Sequence, residues 1–154
     1  MKTKSISQST TVYRHLTIIP LMIVITFLFS FYRSVPAENE LTGTWTGTRF
    51  EFNQTKGPDI SAMINGGKAL HIGGKLILEK DRHYLIRDPE GKVNGKGSWK
   101  MNGNSSFTTT DDGGETTVYQ IVSLTGRKLV TRHKVGMTTP DGEVAGEITL
   151  TYSR

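Results

Sequence analysis

Short runs of β-favouring residues, separated by turn-forming residues, recur throughout residues 38–154 and restrict the fold more than any other feature. The turn signals, rich in Gly, Asn, Asp and Pro, fall at 88–91, 102–104, 111–114, 125–126 and 140–142. Such residues accept a positive φ or cap a turn with a side chain, so they suit tight hairpins. The intervening runs predict eight strands, at 43–53, 73–80, 82–88, 92–101, 104–110, 116–124, 127–136 and 144–153.

The first predicted strand departs from simple alternation. Trp45 has odd parity, whereas Phe50 and Phe52 have even parity. A β-bulge near Gly47 reconciles them, because one extra residue exchanges the two faces of a strand. With short hairpins joining consecutive strands, the sequence predicts an all-β fold, an eight-stranded antiparallel up-and-down barrel that leaves no exposed edge.

One connection, residues 54–72, is much longer than a hairpin. It contains Pro58, the segment 59–64 and then Asn65-Gly66-Gly67. Asp59 is placed to cap a single helical turn that Gly66 ends. Two interpretations remain open: a lid over one mouth of the barrel, or a mobile surface loop.

The N-terminal segment is typical of an export signal. Residues 1–15 carry Lys2, Lys4 and Arg14 and no acid, and the 17 residues 16–32 are uncharged. This pattern predicts a signal peptide or a transmembrane anchor in residues 1–37, followed by the barrel domain in 38–154. The small residues at 35–37 favour cleavage, whereas 17 apolar residues reach the lower limit for spanning a bilayer. We expect an exported domain, either secreted or periplasmic, or membrane-anchored through residues 16–32 and facing outward.

The charge distribution argues against a nucleic-acid partner. Four of the 19 basic residues precede Glu38 and none of the 14 acids does, so the exported part is nearly neutral. Without a basic patch, we expect no nucleic-acid binding. The chain also lacks cysteine, which excludes a disulfide and a lipid-modified cysteine anchor.

Residues that could support catalysis or bind a metal are sparse. Ser98 lacks the strand-to-helix elbow of a serine hydrolase. His71, His83 and His133 lack the spacing of a metal site, and we expect them at the solvent or at strand edges. The sequence therefore predicts a protein that is not an enzyme and has no metal or cofactor.

The stretch Gly43-Thr44-Trp45, at the start of the first of eight predicted strands, resembles the Gly-x-Trp signature of the lipocalin (calycin) family. The similarity is greatest to the lipocalin-like domains of exported bacterial proteins, which also lack disulfide-forming cysteines. The resemblance implies that Trp45 plugs the closed end of a barrel and that Gly43 lets the chain approach beneath it. It also implies an arginine stacked on the tryptophan, and Arg154 matches that position.

The resemblance further implies a non-enzymatic carrier of a small hydrophobic or amphipathic ligand inside the barrel. Tyr84 and Tyr119 are candidate polar anchors for that ligand. The alternative is a protein-interaction or inhibitor module with a filled interior and exposed apolar loop residues. The sequence does not indicate an oligomeric state. The candidate interior residues are Leu76, Leu78, Tyr84, Ile86, Trp99, Phe107, Val118, Val122, Ile148, Leu150 and Tyr152.

Overall fold

The structure, a computed structural model, describes residues 38–103 and 105–154. The signal or anchor segment predicted in residues 1–37 lies outside the described residues. Within them, no helix combines the length and the apolar character needed to cross a bilayer. The described elements are α1 (Glu38–Leu41), β1 (Gly43–Lys56), α2 (Ser61–His71), β2 (Lys75–Leu78), β3 (His83–Arg87), β4 (Val93–Asn102), β5 (Ser106–Asp111), β6 (Thr116–Thr125), β7 (Lys128–Thr139) and β8 (Gly142–Ser153).

The eight strands form one closed antiparallel barrel. Each strand pairs with the next along the chain, and β1 also pairs with β8. The hairpins depend on the turn residues seen in the sequence: between β5 and β6, the Asp111 carboxylate accepts the backbone N–H groups of Gly113 and Glu115 at 2.9 and 2.8 Å. The predicted all-β, up-and-down barrel is thus confirmed, and every predicted strand overlaps an observed one.

The predicted bulge in β1 is also confirmed. The pairing of β1 with β8 shifts register between Gly47 and Arg49, so that Thr48 is the extra residue. Trp45 before the bulge and Phe50 after it both pack into the barrel core. One inserted residue therefore lets a single long strand contribute to both ends of the interior.

We call the end at which β1 begins and β8 finishes the closed end, and the other the open end. Large side chains fill the closed end, where Trp99 and Phe107 meet edge-to-face with ring centroids 6.5 Å apart. The Trp99 indole nitrogen donates to the Glu79 carbonyl at 3.0 Å, so its one polar group is paired. Six side chains at this end are almost completely buried: Leu41, Trp45, Leu78, Trp99, Phe107 and Leu129.

The predicted faces of β6 are wrong. Val118 and Val122 were expected in the interior, but they are 53% and 51% exposed on the outer wall. Tyr119 and Ile121 pack against the core instead. A register shift between Ile121 and Ser123 makes Val122 an extra residue, which brings Leu124 onto the inner face. Leu124 stands at an even-numbered position, like Val118 and Val122, but points inward. Counting alternate residues therefore places all three on the inner face, which is wrong for the two valines.

The helix in the long connection is longer than predicted. The prediction that Asp59 caps it is wrong, because Ile60 is the N-cap and makes no side-chain cap hydrogen bond. The Asp59 carboxylate instead accepts a hydrogen bond from the Ser61 backbone N–H at 2.8 Å. The helix α2 nevertheless continues through Gly66 and Gly67 to His71. Gly67 faces the Phe50 ring, where a Cβ would lie 3.7 Å from the ring carbons, and tertiary context routinely overrides weak helix propensity. The segment lies at the open end, where its second half lines the barrel cavity.

Candidate functional site

At the closed end, Trp45 and Arg154 form a capped plug. The Trp45 side chain is 0% exposed, and its indole nitrogen donates to the Leu41 carbonyl at 2.8 Å. The Arg154 guanidinium carbon lies 4.1 Å from the centre of the Trp45 ring system. A guanidinium on an indole face is attracted by the ring quadrupole, by roughly 0.5–2 kcal/mol.

Hydrogen bonds hold Arg154 in this position. Its Nη1 donates to the Thr42 carbonyl at 2.9 Å, its Nη2 to Glu40 at 2.8 Å, and its Nε to Gly126 at 2.9 Å. Gly43 has φ +129°, and a Cβ there would lie 2.8 Å from Arg154 Nη1. Gly43, Trp45 and Arg154 therefore pack together at the closed end and leave no room for a ligand between them.

The candidate site is a cavity of about 230 Å³ toward the open end, beside α2. Ligand sites of this kind combine apolar walls with a few polar groups that fix orientation. Its polar side chains include His71, Tyr119, His133 and Tyr152. Six side chains form its apolar wall: Phe50, Leu70, Leu76, Ile86, Ile148 and Leu150.

The predicted interior residues divide into three groups. Leu76, Ile86, Ile148, Leu150 and Tyr152 line the cavity. Val118 and Val122 lie outside the barrel, as described above. The remaining four do not line the cavity but pack in the buried core: Leu78, Tyr84, Trp99 and Phe107. Of the two candidate polar anchors, Tyr119 lines the cavity and Tyr84 does not.

Two histidines on the cavity wall were expected at the solvent or at an edge. His83 is exposed as expected, but His71 and His133 are partly buried. His71 lies at the end of α2, and its ring is 4.8 Å from that of Tyr152. His133 shares the parity of buried Leu129 and Thr131 on β7, a signal that the alternation of that strand could have given.

Burial shifts the pKa of each of these polar groups in the direction that favours its uncharged form. It raises the pKa of Tyr119 to about 12 and raises that of Tyr152 well above 10. It lowers the pKa of His133 to about 4. Burial also lowers the pKa of His71, although backbone carbonyls oppose the shift, and the His71 Nε2 lies 3.2 Å from the Thr151 carbonyl oxygen. Lys75 and Arg87 also contribute to the wall, so the charged side chains lining the cavity are cationic.

Nothing in this geometry assembles a metal centre. Among residues 38–103 and 105–154, no three His, Asp or Glu side chains cluster so as to hold an ion. Comparison with known proteins gives no further assignment, because no protein-family model and no curated protein matches the chain.

Proposed function

We propose that this chain is an exported lipocalin-like carrier that binds a small hydrophobic or amphipathic molecule in the open-end cavity without catalysing a reaction. The observation that carries the proposal is the cavity itself, about 230 Å³ with apolar walls and uncharged tyrosine and histidine side chains. An apolar cavity of about 150 Å³ accepts benzene, so this one suits a single substituted ring or a short chain.

Two further features support the proposal. The Trp45–Arg154 stack at 4.1 Å has the geometry that a lipocalin-like plug requires. The basic and then apolar N-terminal sequence supports export, whether residues 1–37 are removed or remain as an anchor.

Native mass spectrometry of the full chain purified from a host that exports it, with lipid extraction of the same sample, tests the proposal directly. We expect a co-purifying small molecule close to one per chain. Phenol serves as the defined probe, titrated by calorimetry. Ile148→Phe fills part of the cavity and should weaken phenol binding by at least about tenfold. Val93→Phe makes a comparable change on an exposed strand residue and should leave phenol binding unchanged.

The second candidate is a protein-interaction module. Its support is the exposure of Met63 and Leu70, two apolar side chains one heptad apart on α2, at 52% and 51%. A bare protein that binds phenol neither as wild type nor as Val93→Phe would contradict the carrier and favour this alternative. Phenol binding unchanged by Ile148→Phe would also contradict the proposed site.

A further inference from the structure

The barrel wall is open along one seam at the open end. Strands β6 and β7 pair only from Gln120–Arg132 to Thr125–Lys128. Beyond that point, residues 116–119 pair with β5 alone and residues 133–139 pair with β8 alone. The two unpaired strand segments border a slit of about 610 Å³. Unpaired strand edges present free backbone hydrogen-bonding groups, so this seam is a candidate binding surface.

The slit and the interior cavity share a wall. Tyr119 from β6 and His133 from β7 line both spaces. Their rings meet edge-on with centroids 4.8 Å apart. Tyr119 and His133 therefore lie between the cavity and the slit, at a point where β6 and β7 have no hydrogen-bonded ladder.

A polar atom at this junction lacks a partner. His133 Nδ1 is buried and makes no hydrogen bond to any group in the described residues. Buried polar groups in proteins are ordinarily paired, and each exception requires an explanation. A hydroxyl group of a ligand that passes between cavity and slit would supply the missing partner.

The slit differs from the cavity in chemistry. Its lining includes hydroxyl and amide side chains such as Thr116, Thr117 and Gln120. Its two carboxylates, Glu115 and Glu147, are matched by two cations, Arg132 and Lys134, and Arg132 lies 3.2 Å from Glu147. A balanced set of charges favours an uncharged polar ligand over an ion, because a charged ligand would contact side chains of like charge as well as side chains of opposite charge.

We propose that the ligand site continues past Tyr119 and His133 into the β6–β7 slit, and that the ligand is a small apolar ring or short chain joined to an uncharged, hydroxyl-rich body such as a sugar. The apolar part occupies the cavity and the polar body occupies the slit. This inference rests on the proposed carrier function and specifies the chemical class of its ligand.

Phenol and phenyl β-glucoside, titrated separately into the full chain, test the extension. Both compounds carry the same phenyl ring, and only the glucoside has a sugar that could occupy the slit. We expect the glucoside to bind wild type at least about tenfold more tightly than phenol. Val135→Phe places an aromatic ring in the slit, on a residue that does not line the cavity, and should abolish this gain while leaving phenol affinity unchanged. Val93→Phe, on an exposed strand residue that lines neither space, should leave both affinities unchanged.

The outcomes separate the two proposals. Equal affinity of phenol and glucoside for wild type, or a glucoside gain that survives Val135→Phe, overturns the extension and leaves the carrier proposal standing. Failure of both probes to bind overturns both. A far-ultraviolet circular dichroism spectrum and melting curve of Val135→Phe, matched to wild type, ensure that a lost gain reflects the slit and not unfolding. If Val135→Phe does not fold, Thr117→Phe on the facing strand replaces it, with the same expected loss.

Discussion

The closed end of the barrel is filled with fully buried aromatic and aliphatic side chains, and the open end has buried and partly buried side chains around unfilled space. At the closed end, the indole nitrogens of Trp45 and Trp99 both donate to backbone carbonyls. At the open end, His133 keeps an unpaired nitrogen, and β6 and β7 separate. The difference predicts that the closed end contributes more to the stability of the fold than the open end does.

The most severe test of this comparison is Trp45→Ala. Truncating a buried tryptophan removes its packing and leaves a cavity, so we expect the free energy of unfolding to fall by about 3–5 kcal/mol. Urea denaturation followed by circular dichroism measures the change. Val93→Ala, on an exposed strand residue, is the control and should change the unfolding free energy little. A urea denaturation curve unchanged by Trp45→Ala would contradict the assignment of Trp45 as the plug.

Lowering the pH should destabilise the fold through the two partly buried histidines at the open end. Burial lowers the pKa of His133 to about 4, from an ordinary value of 6.5, and lowers the pKa of His71 as well. The unfolded chain therefore binds more protons than the folded one as the pH falls, so stability declines progressively from about pH 6.5 toward pH 4. Thermal melting between about pH 7 and pH 4.5 measures the decline, and this range lies above the ordinary pKa of aspartate.

The matched variants separate the buried histidines from an exposed one. A double variant, His71→Gln with His133→Gln, should flatten the pH dependence of the melting temperature. The control His83→Gln should keep the wild-type slope, because His83 lies at the surface. If the double variant and wild type lose stability equally over this range, the buried imidazoles are not the cause.

The fold was more predictable than the site. Turn residues and strand alternation predicted all eight strands, and the opposite parities of Trp45 and Phe50 located the bulge in β1. The bulge at Val122 was missed, because Val118, Val122 and Leu124 have the same parity and are all apolar, so the wrong face looked consistent. Local sequence reports which residues are apolar, but the pairing register decides which of them face inward.

Two parts of the site depend on contacts between distant segments. The slit exists because β6 and β7 stop pairing beyond Gln120 and Arg132, and no residue type marks that point. Helix α2 continues through Gly66 and Gly67, and Gly67 faces the Phe50 ring, where a Cβ would lie 3.7 Å from the ring carbons. Such information lies in the assembled barrel, and propensity alone predicts the opposite for two adjacent glycines.

The smallest expected effect is at this helix. Gly66 lies on the exposed side of α2, and a Cβ there would meet no atom within 4 Å. Glycine in a helix interior costs about 0.5–1 kcal/mol relative to alanine, so Gly66→Ala should stabilise the protein by up to that amount. The gain should appear as slower amide hydrogen exchange in residues 61–71, since α2 itself is what the methyl group stabilises.

Gly91 provides the contrasting control. It also has open space around it, but its φ is +87°, so Gly91→Ala should destabilise the protein where Gly66→Ala stabilises it. If Gly66→Ala slows amide exchange in α2 without weakening phenol binding, then phenol binding does not require the backbone motion of α2. If Gly66→Ala slows amide exchange and also slows phenol association, then α2 moves when phenol enters the cavity.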